Sequence, residues 1–363
     1  RYQFERNRGD DPVPRLYSGQ VQALLPMARE FGVAQWQLGL RCWCLLPGNR
    51  LLASWFDQGE AGLLEVDLQA DRWFSRATGL ARCHSLQLLD GVGAVLLTEQ
   101  HNACSRIQLL VDGSSPRIIE QLSGSGDIIT STAPEPFACT STDGSLVWGF
   151  YYRPWQVTGP APTLIQIHGG PTSMADSAFD PLREFWLSHG YAVLVLNYRG
   201  SSGFGRDYRM QLHERWGIMD CDDVLFAARH AVTQGWTDAS RIFVRGNSAG
   251  GYTVLRVLSG VGPMASVPSI RAGASHYGIS DLQLLNCHTH KFESRYLEWL
   301  IGEDGHDDRY HQRSPIHALD HSWKPVLFFQ GEQDRVVPAE QTLNLHAVLK
   351  QRGRISDVCL FPG

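Results

Sequence analysis

Arg241-Ile242-Phe243-Val244-Arg245-Gly246-Asn247-Ser248-Ala249-Gly250-Gly251-Tyr252 decides how the rest of the chain is read. A short run of strand formers, 241–245, gives way at a serine to a run that suits a helix, 250–258. The positions around the serine are small: Gly246, Ala249, Gly250 and Gly251. A strand that bends into a helix at one residue needs small neighbours, because the bend brings backbone segments together. The serine oxygen is then pushed clear of the sheet, and the next amide points to where an oxyanion develops. Ser248 is therefore the candidate nucleophile, and the Ala249 N–H a candidate oxyanion donor. The competing reading is a glycine-rich turn with an ordinary serine; a strand before and a helix after weigh against it.

Outward from this turn, the runs 164–167, 192–196, 242–244 and 326–329 are short, apolar and rich in β-formers. They fit buried parallel strands covered on both faces. Helical stretches lie between them, notably 222–234 and 339–350, the latter preceded by Pro338, which suits a first helical turn. The alternation predicts an α/β fold of the α/β-hydrolase kind: a doubly wound, mostly parallel sheet with active groups at strand C-termini. Two strand ends carry candidate chemistry. His168-Gly169-Gly170-Pro171 follows the run 164–167, and its glycines let backbone amides approach a ligand, so Gly170 is a second oxyanion candidate. A plain turn with His168 as a cap is the alternative. Gln330-Gly331-Glu332-Gln333-Asp334 follows the run 326–329. A carboxylate here can orient a histidine, and serine before acid is the chain order of this fold. Asp334 is the candidate, with Glu332 as its rival.

The first 135 residues have another texture. Short strands, such as 51–56, 63–68, 94–98 and 106–111, are punctuated by Gly48-Asn49, Gln58-Gly59, Asp90-Gly91 and Asp112-Gly113. A weak repeat of Trp, strand, strand and Val-Asp-Leu recurs at about the length of a propeller blade. About three blades are expected, too few to close a ring, so this part reads as the end of a β-propeller. Residues 123–136 are rich in Ser, Gly, Thr and Pro and suit a link. The expected domains are 1–135, part of a β-propeller, and 136–363, an α/β-hydrolase catalytic domain.

Composition narrows the partners. A net charge of −5 makes no field for nucleic acid or an anionic membrane, so neither is expected. No apolar run reaches the roughly 18–20 residues that cross a bilayer. Residues 1–8 are polar and do not form a signal peptide. Eight scattered cysteines without a CxxC pair argue against a disulfide framework or structural zinc and favour the cytoplasm. His288 and His290, with Glu293 nearby, make too weak a ligand set for a metal, so no metal and no cofactor is expected. The run 200–205 lacks the order of a phosphate loop; Arg199 and Arg206 are expected to fix that loop or contact substrate. Asp220, Asp222 and Asp223 open a helix and should complement its dipole. A homo-oligomer is compatible with this composition.

The stretches His168-Gly169-Gly170-Pro171-Thr172, Asn197-Tyr198-Arg199-Gly200-Ser201-Ser202-Gly203-Phe204-Gly205, Trp216-Gly217 with Asp220-Cys221-Asp222-Asp223, 246–252, Thr289-His290-Lys291-Phe292-Glu293-Ser294-Arg295-Tyr296, Arg313-Ser314-Pro315 and 330–338 together resemble the prolyl oligopeptidase family of serine peptidases. The resemblance is strongest to the dipeptidyl-aminopeptidase and acylaminoacyl-peptidase branch. It implies a peptidase acting near the N-terminus of short peptides through an acyl-enzyme, with a propeller restricting access. On this resemblance Ser248 is the nucleophile, Asp334 orients the base, Ala249 and Gly170 hold the oxyanion, and Ile279, Leu282, Phe292 and Tyr296 form the pocket for the acyl-side residue. Glu30, in a stretch similar to a late propeller segment, is a candidate anchor for the substrate amine. Ala249 stands where proline-specific dipeptidyl peptidases have a tyrosine, so a strict proline preference is not implied. The family's catalytic histidine follows the last strand in a Gly-His-Gly segment. Here the sequence ends at Gly363, and His346, the one histidine after Asp334, falls within a helix. The expectation is a fragment cut at both ends and nearly inactive as written. A carboxylesterase on the same fold and a non-catalytic propeller-hydrolase scaffold are the alternatives.

Overall fold

Sheets of two kinds organise the chain in the computed structural model, which describes residues 24, 27–32, 39–70, 72–111, 114–121, 131–260, 269–288, 291, 293, 295–303, 308–318 and 323–362. The first kind is antiparallel. β1 (Trp43–Leu46), β2 (Arg50–Asp57), β3 (Glu60–Asp67) and β4 (Arg72–Leu80) form one four-stranded meander. β5 (Arg82–Leu89), β6 (Gly93–Gln100), β7 (Ala103–Leu110) and β8 (Arg117–Gln121) form the next. Gln58 and Gly59 join β2 to β3 with φ of 48° and 91°, and Asp57 pairs with Glu60 across them. A two-residue hairpin turn needs this doubly left-handed backbone to match strand twist. Leu52, Phe56 and Leu63 of one sheet share a core with Leu86, Ala94 and Leu96 of the other. Two such blades occur among the described residues, where about three were expected. Residues 1–23 and 33–38, part of the segment expected to be propeller, lie outside the described residues, as does the turn Asp112-Gly113.

The second kind is an eight-stranded sheet with the order β16-β15-β14-β13-β11-β12-β10-β9. β9 (Glu135–Thr140) and β10 (Leu146–Tyr152) are antiparallel; β11 (Ala161–Ile167), β12 (Ala192–Asn197), β13 (Thr237–Asn247), β14 (Ile270–His276), β15 (Val326–Gly331) and β16 (Ser356–Phe361) pair in parallel. Pro136, placed at the edge of the link by sequence, lies inside β9 opposite Phe150. That strand is the sheet edge, where a missing N–H is tolerated. The chain leaves β11 for β12 on one side through α1 (Pro181–Ser188), then returns through α3 (Met219–Thr233) to β13 on the other. The order reverses beside β11, and ligand crevices of open α/β sheets form at such switch points. α4 (Ala249–Leu258) and α8 (Ala339–Gln351) bury Val254, Leu255, Leu345 and Leu349 in one core with α3 and with Ile165, Ile167, Val244 and Phe328 of the sheet. α1 packs Leu187 against Phe150, Tyr152, Val193 and Val195 of the opposite face. α2 (Arg206–Met210), α5 (Leu282–His288), α6 (Tyr296–Ile301) and α7 (Arg309–Arg313) are short.

The acids at the start of α3 do more than complement a dipole. Asp220 and Asp223 are fully buried. Asp220 accepts from the Gly217 N–H (2.6 Å) and the Thr253 hydroxyl (2.5 Å), tying α3 to α4. Asp223 accepts from Arg199 Nη2 at 2.6 Å, from the Arg199 N–H at 2.7 Å and from the Ser141 hydroxyl at 2.7 Å. Arg199 is itself fully buried, with a further ion pair to Asp143 at 2.7 Å. Its charge is consumed in fixing the loop after β12, so it is not a substrate contact. No helix among the described residues is long and apolar enough to cross a membrane.

The two parts touch. Phe179 N–H donates to Gln100 C=O (2.9 Å), Gln58 N–H to Gly203 C=O (3.1 Å), and Arg82 of β5 pairs with Asp176.

Candidate active site

Ser248 is the single residue between β13 and α4. Its backbone takes φ 52° and ψ −121°, a conformation that non-glycine residues rarely adopt. The Ser248 N–H donates to His276 C=O at the end of β14 (2.9 Å), and its C=O accepts the Tyr252 N–H (3.0 Å) as the first turn of α4 closes. The side chain does not cap the helix and makes no hydrogen bond to a described residue. Oγ is therefore uncommitted, and the Ala249 N–H, in the first turn of α4, has no intrahelical acceptor.

Close approach, rather than unusual φ, explains the flanking glycines. A Cβ on Gly250 would lie 2.7 Å from His168 O and hard against Ile167 O; one on Gly246 would lie 3.0 Å from Ile167 O and 2.5 Å from Gly250 C. One on Gly251 would meet Gly278 Cα at 2.8 Å. The elbow is thus pressed onto the end of β11, which places His168-Gly169-Gly170 beside it. A Cβ on Gly169 would be 3.5 Å from Ser248 Cβ. Gly170 does need its φ, +120°.

The loop after β11 is held from behind. The Tyr198 hydroxyl lies within reach of His168 O (3.1 Å) and Pro171 O (3.0 Å), and its ring stacks on His168 with centroids 4.4 Å apart. His168 Nε2 bonds Ser201 Oγ at 2.8 Å, and burial pushes its pKa down to about 4, so it is neutral at neutral pH. Burial also lowers the pKa of His276 to about 4, and its ring stacks on Phe329. Neither imidazole bonds Ser248.

A cavity of about 70 Å³ opens beside Ser248. Of the residues singled out in the sequence, Gly170, Ser248, Ala249, Ile279 and Tyr296 line it. Leu282 does not: it starts α5 with no exposed surface, its N–H bound to Ser314 Oγ (2.9 Å), and its side chain belongs to the core. Leu285, one turn later on α5, lines the cavity instead. Phe292 lies outside the described residues. The sequence reading missed Trp216, Leu297, Leu300, Val336 and Val337 as lining residues. Trp216 and both valines stand within the motifs already quoted. Leu297 and Leu300 are separable from other apolar helix residues only by the face of α6 they occupy.

Asp334 sits in the loop after β15, half-buried. Its Oδ1 accepts the N–H groups of Val336 and Val337, both at 2.9 Å, which holds these two residues at the cavity wall. Oδ2 takes no hydrogen bond from a described residue. Glu332 is exposed, one step beyond the strand. Glu30 is not part of the lining. It bridges to Phe56, and its carboxylate accepts from Arg209 (2.9 Å) and from the Gly203 N–H.

This chain is similar to proteins of known sequence and structure. It is 32% identical over 219 residues to acylamino-acid-releasing enzyme 1 of Oryza sativa subsp. japonica, covering 57% of this chain and 28% of that one. To dipeptidyl aminopeptidase BIII of Pseudoxanthomonas mexicana it is 30% identical over 202 residues, 51% of this chain and 28% of that one. The solved structure of a Mycobacterium tuberculosis puromycin-hydrolyzing peptidase superposes with a TM-score of 0.87 at 29% identity, over 94% of this chain and 52% of that one. The matched stretch thus covers little more than a quarter of the length of either curated relative. The profile described as "Prolyl oligopeptidase family" matches residues 177–363, which include Ser248, Asp334 and all of α4 to β16. Together with the elbow geometry, this match means that the chain belongs to the prolyl oligopeptidase family.

Proposed function

We propose that this protein is a serine peptidase that cleaves short peptides near their N-terminus. The carrying observation is the Ser248 elbow: a strained residue with a free Oγ, pressed against a glycine loop and opening onto an apolar cavity. Ser248 Oγ attacks the carbonyl carbon, and the carbonyl electron pair moves to an oxygen held by the Ala249 and Gly170 N–H groups. Collapse breaks the C–N bond, the amine leaves with a proton, and water hydrolyses the ester. The proton passes through a histidine, which this family carries after its last strand; the uncommitted Oδ2 of Asp334 would orient it. The eight cysteines are all free thiols, which suits a reducing compartment and the cytoplasm. Residues 1–135 would supply blades of the propeller that limits substrate size, with residues 136–363 as the catalytic domain.

The test uses the full product of the gene on aminoacyl, dipeptidyl and N-acyl-aminoacyl chromogenic amides. Ser248→Ala should lower kcat/KM about 10³-fold or more on any substrate the wild type cleaves. Turnover that survives this change removes Ser248 from the chemistry.

A further inference from the structure

Two hydrogen bonds of His168 decide where its ring proton sits. Nδ1 lies 2.7 Å from Gly169 O, and Nε2 lies 2.8 Å from Ser201 Oγ. A carbonyl oxygen only accepts, so Nδ1 carries the proton. Burial lowers the His168 pKa to about 4, against the Gly169 bond that favours the charged form, so the ring is neutral at neutral pH and Nε2 is bare. Ser201 supplies the matching donor. Its hydroxyl has one proton and two acceptors in reach, Nε2 and, at 2.7 Å, Tyr198 O.

The bond to Gly169 matters because of what that peptide carries on its other side. Gly169 C=O and Gly170 N–H belong to one planar trans peptide, so they point in opposite directions. Tying the oxygen to His168 therefore aims the N–H the other way. That N–H donates to no described residue, and Gly170 lines the cavity together with Ser248 and Ala249. A glycine on each side makes this peptide easy to rotate. A half-turn would take Gly170 from φ +120° to about −60°, a value open to every residue. It would also set a carbonyl oxygen where an oxyanion needs a donor. The Tyr198 hydroxyl reaches the flanking carbonyls, His168 O at 3.1 Å and Pro171 O at 3.0 Å, which leaves Gly169 O to His168.

Resting on the reading of Ser248 and Gly170 above, we propose that His168, as the Nδ1–H tautomer, is a positioning residue: it locks the 169–170 peptide so that the Gly170 N–H faces the oxyanion. The test uses the full product of the gene. An Asn side chain can place an amide N–H where Nδ1 stands, whereas Gln reaches toward the Nε2 position and Ser201. His168→Gln should lower kcat about 10²-fold with KM changed less than about threefold, because a misdirected oxyanion donor is missed only in the transition state. Affinity for a peptide aldehyde, whose adduct carries the same oxyanion, should fall by a similar factor. His168→Asn should recover at least about tenfold of kcat. Equal losses in Asn and Gln, or a loss confined to KM, would make His168 a packing residue and overturn the proposal. The tautomer is read separately, by ¹⁵N NMR of histidine-labelled wild type near pH 7, with the signal assigned by its loss in His168→Asn or, if that variant does not fold, by its shift in Ser201→Ala. A ring protonated at Nε2 alone overturns the proposal whatever the kinetics. Full activity in Ser248→Ala would sink the reading of Ser248 and leave the tautomer standing; activity lost in Ser248→Ala but kept in His168→Gln sinks this proposal alone.

Discussion

Ser248 holds a backbone conformation that costs on the order of 1–3 kcal/mol for a residue with a Cβ. The strain is retained because the His276 carbonyl and the first turn of α4 fix the amide and carbonyl on either side. Glycine adopts that conformation without steric penalty but loses more chain entropy on folding, by roughly 0.5–1 kcal/mol. Ser248→Gly should therefore stabilise the fold by about 1 kcal/mol while removing the nucleophile. Urea unfolding of both proteins measures it; a destabilised glycine variant would mean that the elbow is not strained. Much of this residue-scale picture was legible in advance, because only small side chains survive a bend that presses Gly250 onto Ile167 and His168. The roles of Leu282 and Leu285 were not. Both are leucines on the same short helix, and which of them meets the cavity depends on how that helix is set against α6 and the Trp216 segment.

Between elements, the buried carboxyl of Asp220 joins α3 to α4 through Thr253 and also holds the Gly217 N–H, next to Trp216. Burial raises its pKa to about 6, against hydrogen bonds from Thr253 and Gly217 that favour the ionised form. An unperturbed Asp titrates near 3.9. Between these values the folded protein keeps a proton that the unfolded chain has released, so this group's contribution to stability is full below about pH 4 and is lost as pH rises to about 6. Asp220→Asn cannot release the proton. The stability of the wild type relative to Asp220→Asn should therefore fall, by on the order of 2 kcal/mol, across that window. Chemical denaturation at a series of pH values checks the sign. A difference independent of pH would mean that Asp220 titrates normally in the fold. In the sequence this residue reads only as one acid among three near a helix start, since burial is not written in composition.

At the scale of the whole molecule, polar links join the blades to the α/β part. Arg82 of β5 pairs with Asp176 in the loop between β11 and α1, the same stretch that begins with the glycine loop. The Arg82 side chain is 41% exposed and that of Asp176 only 8%. Solvent screens the pair from one side, so Arg82→Ala should cost no more than about 1 kcal/mol, and less at high salt. Thermal melts at low and high ionic strength test this. A loss above about 3 kcal/mol would instead mark Asp176 as a buried charge stranded by the change. Which blade residue faces which hydrolase loop is set by two bodies packing together, a contact between residues 94 positions apart that no local pattern encodes.

Local rules determined the strand-to-helix elbow, the glycine loop, the alternation of β and α and the hairpin at Gln58-Gly59, because sterics and periodicity act within a few residues. The tertiary structure decided which leucine meets the cavity and where Arg199 and the acids of α3 spend their charge. Those outcomes depend on burial and on the distances between distant segments, quantities that exist only once the chain has packed.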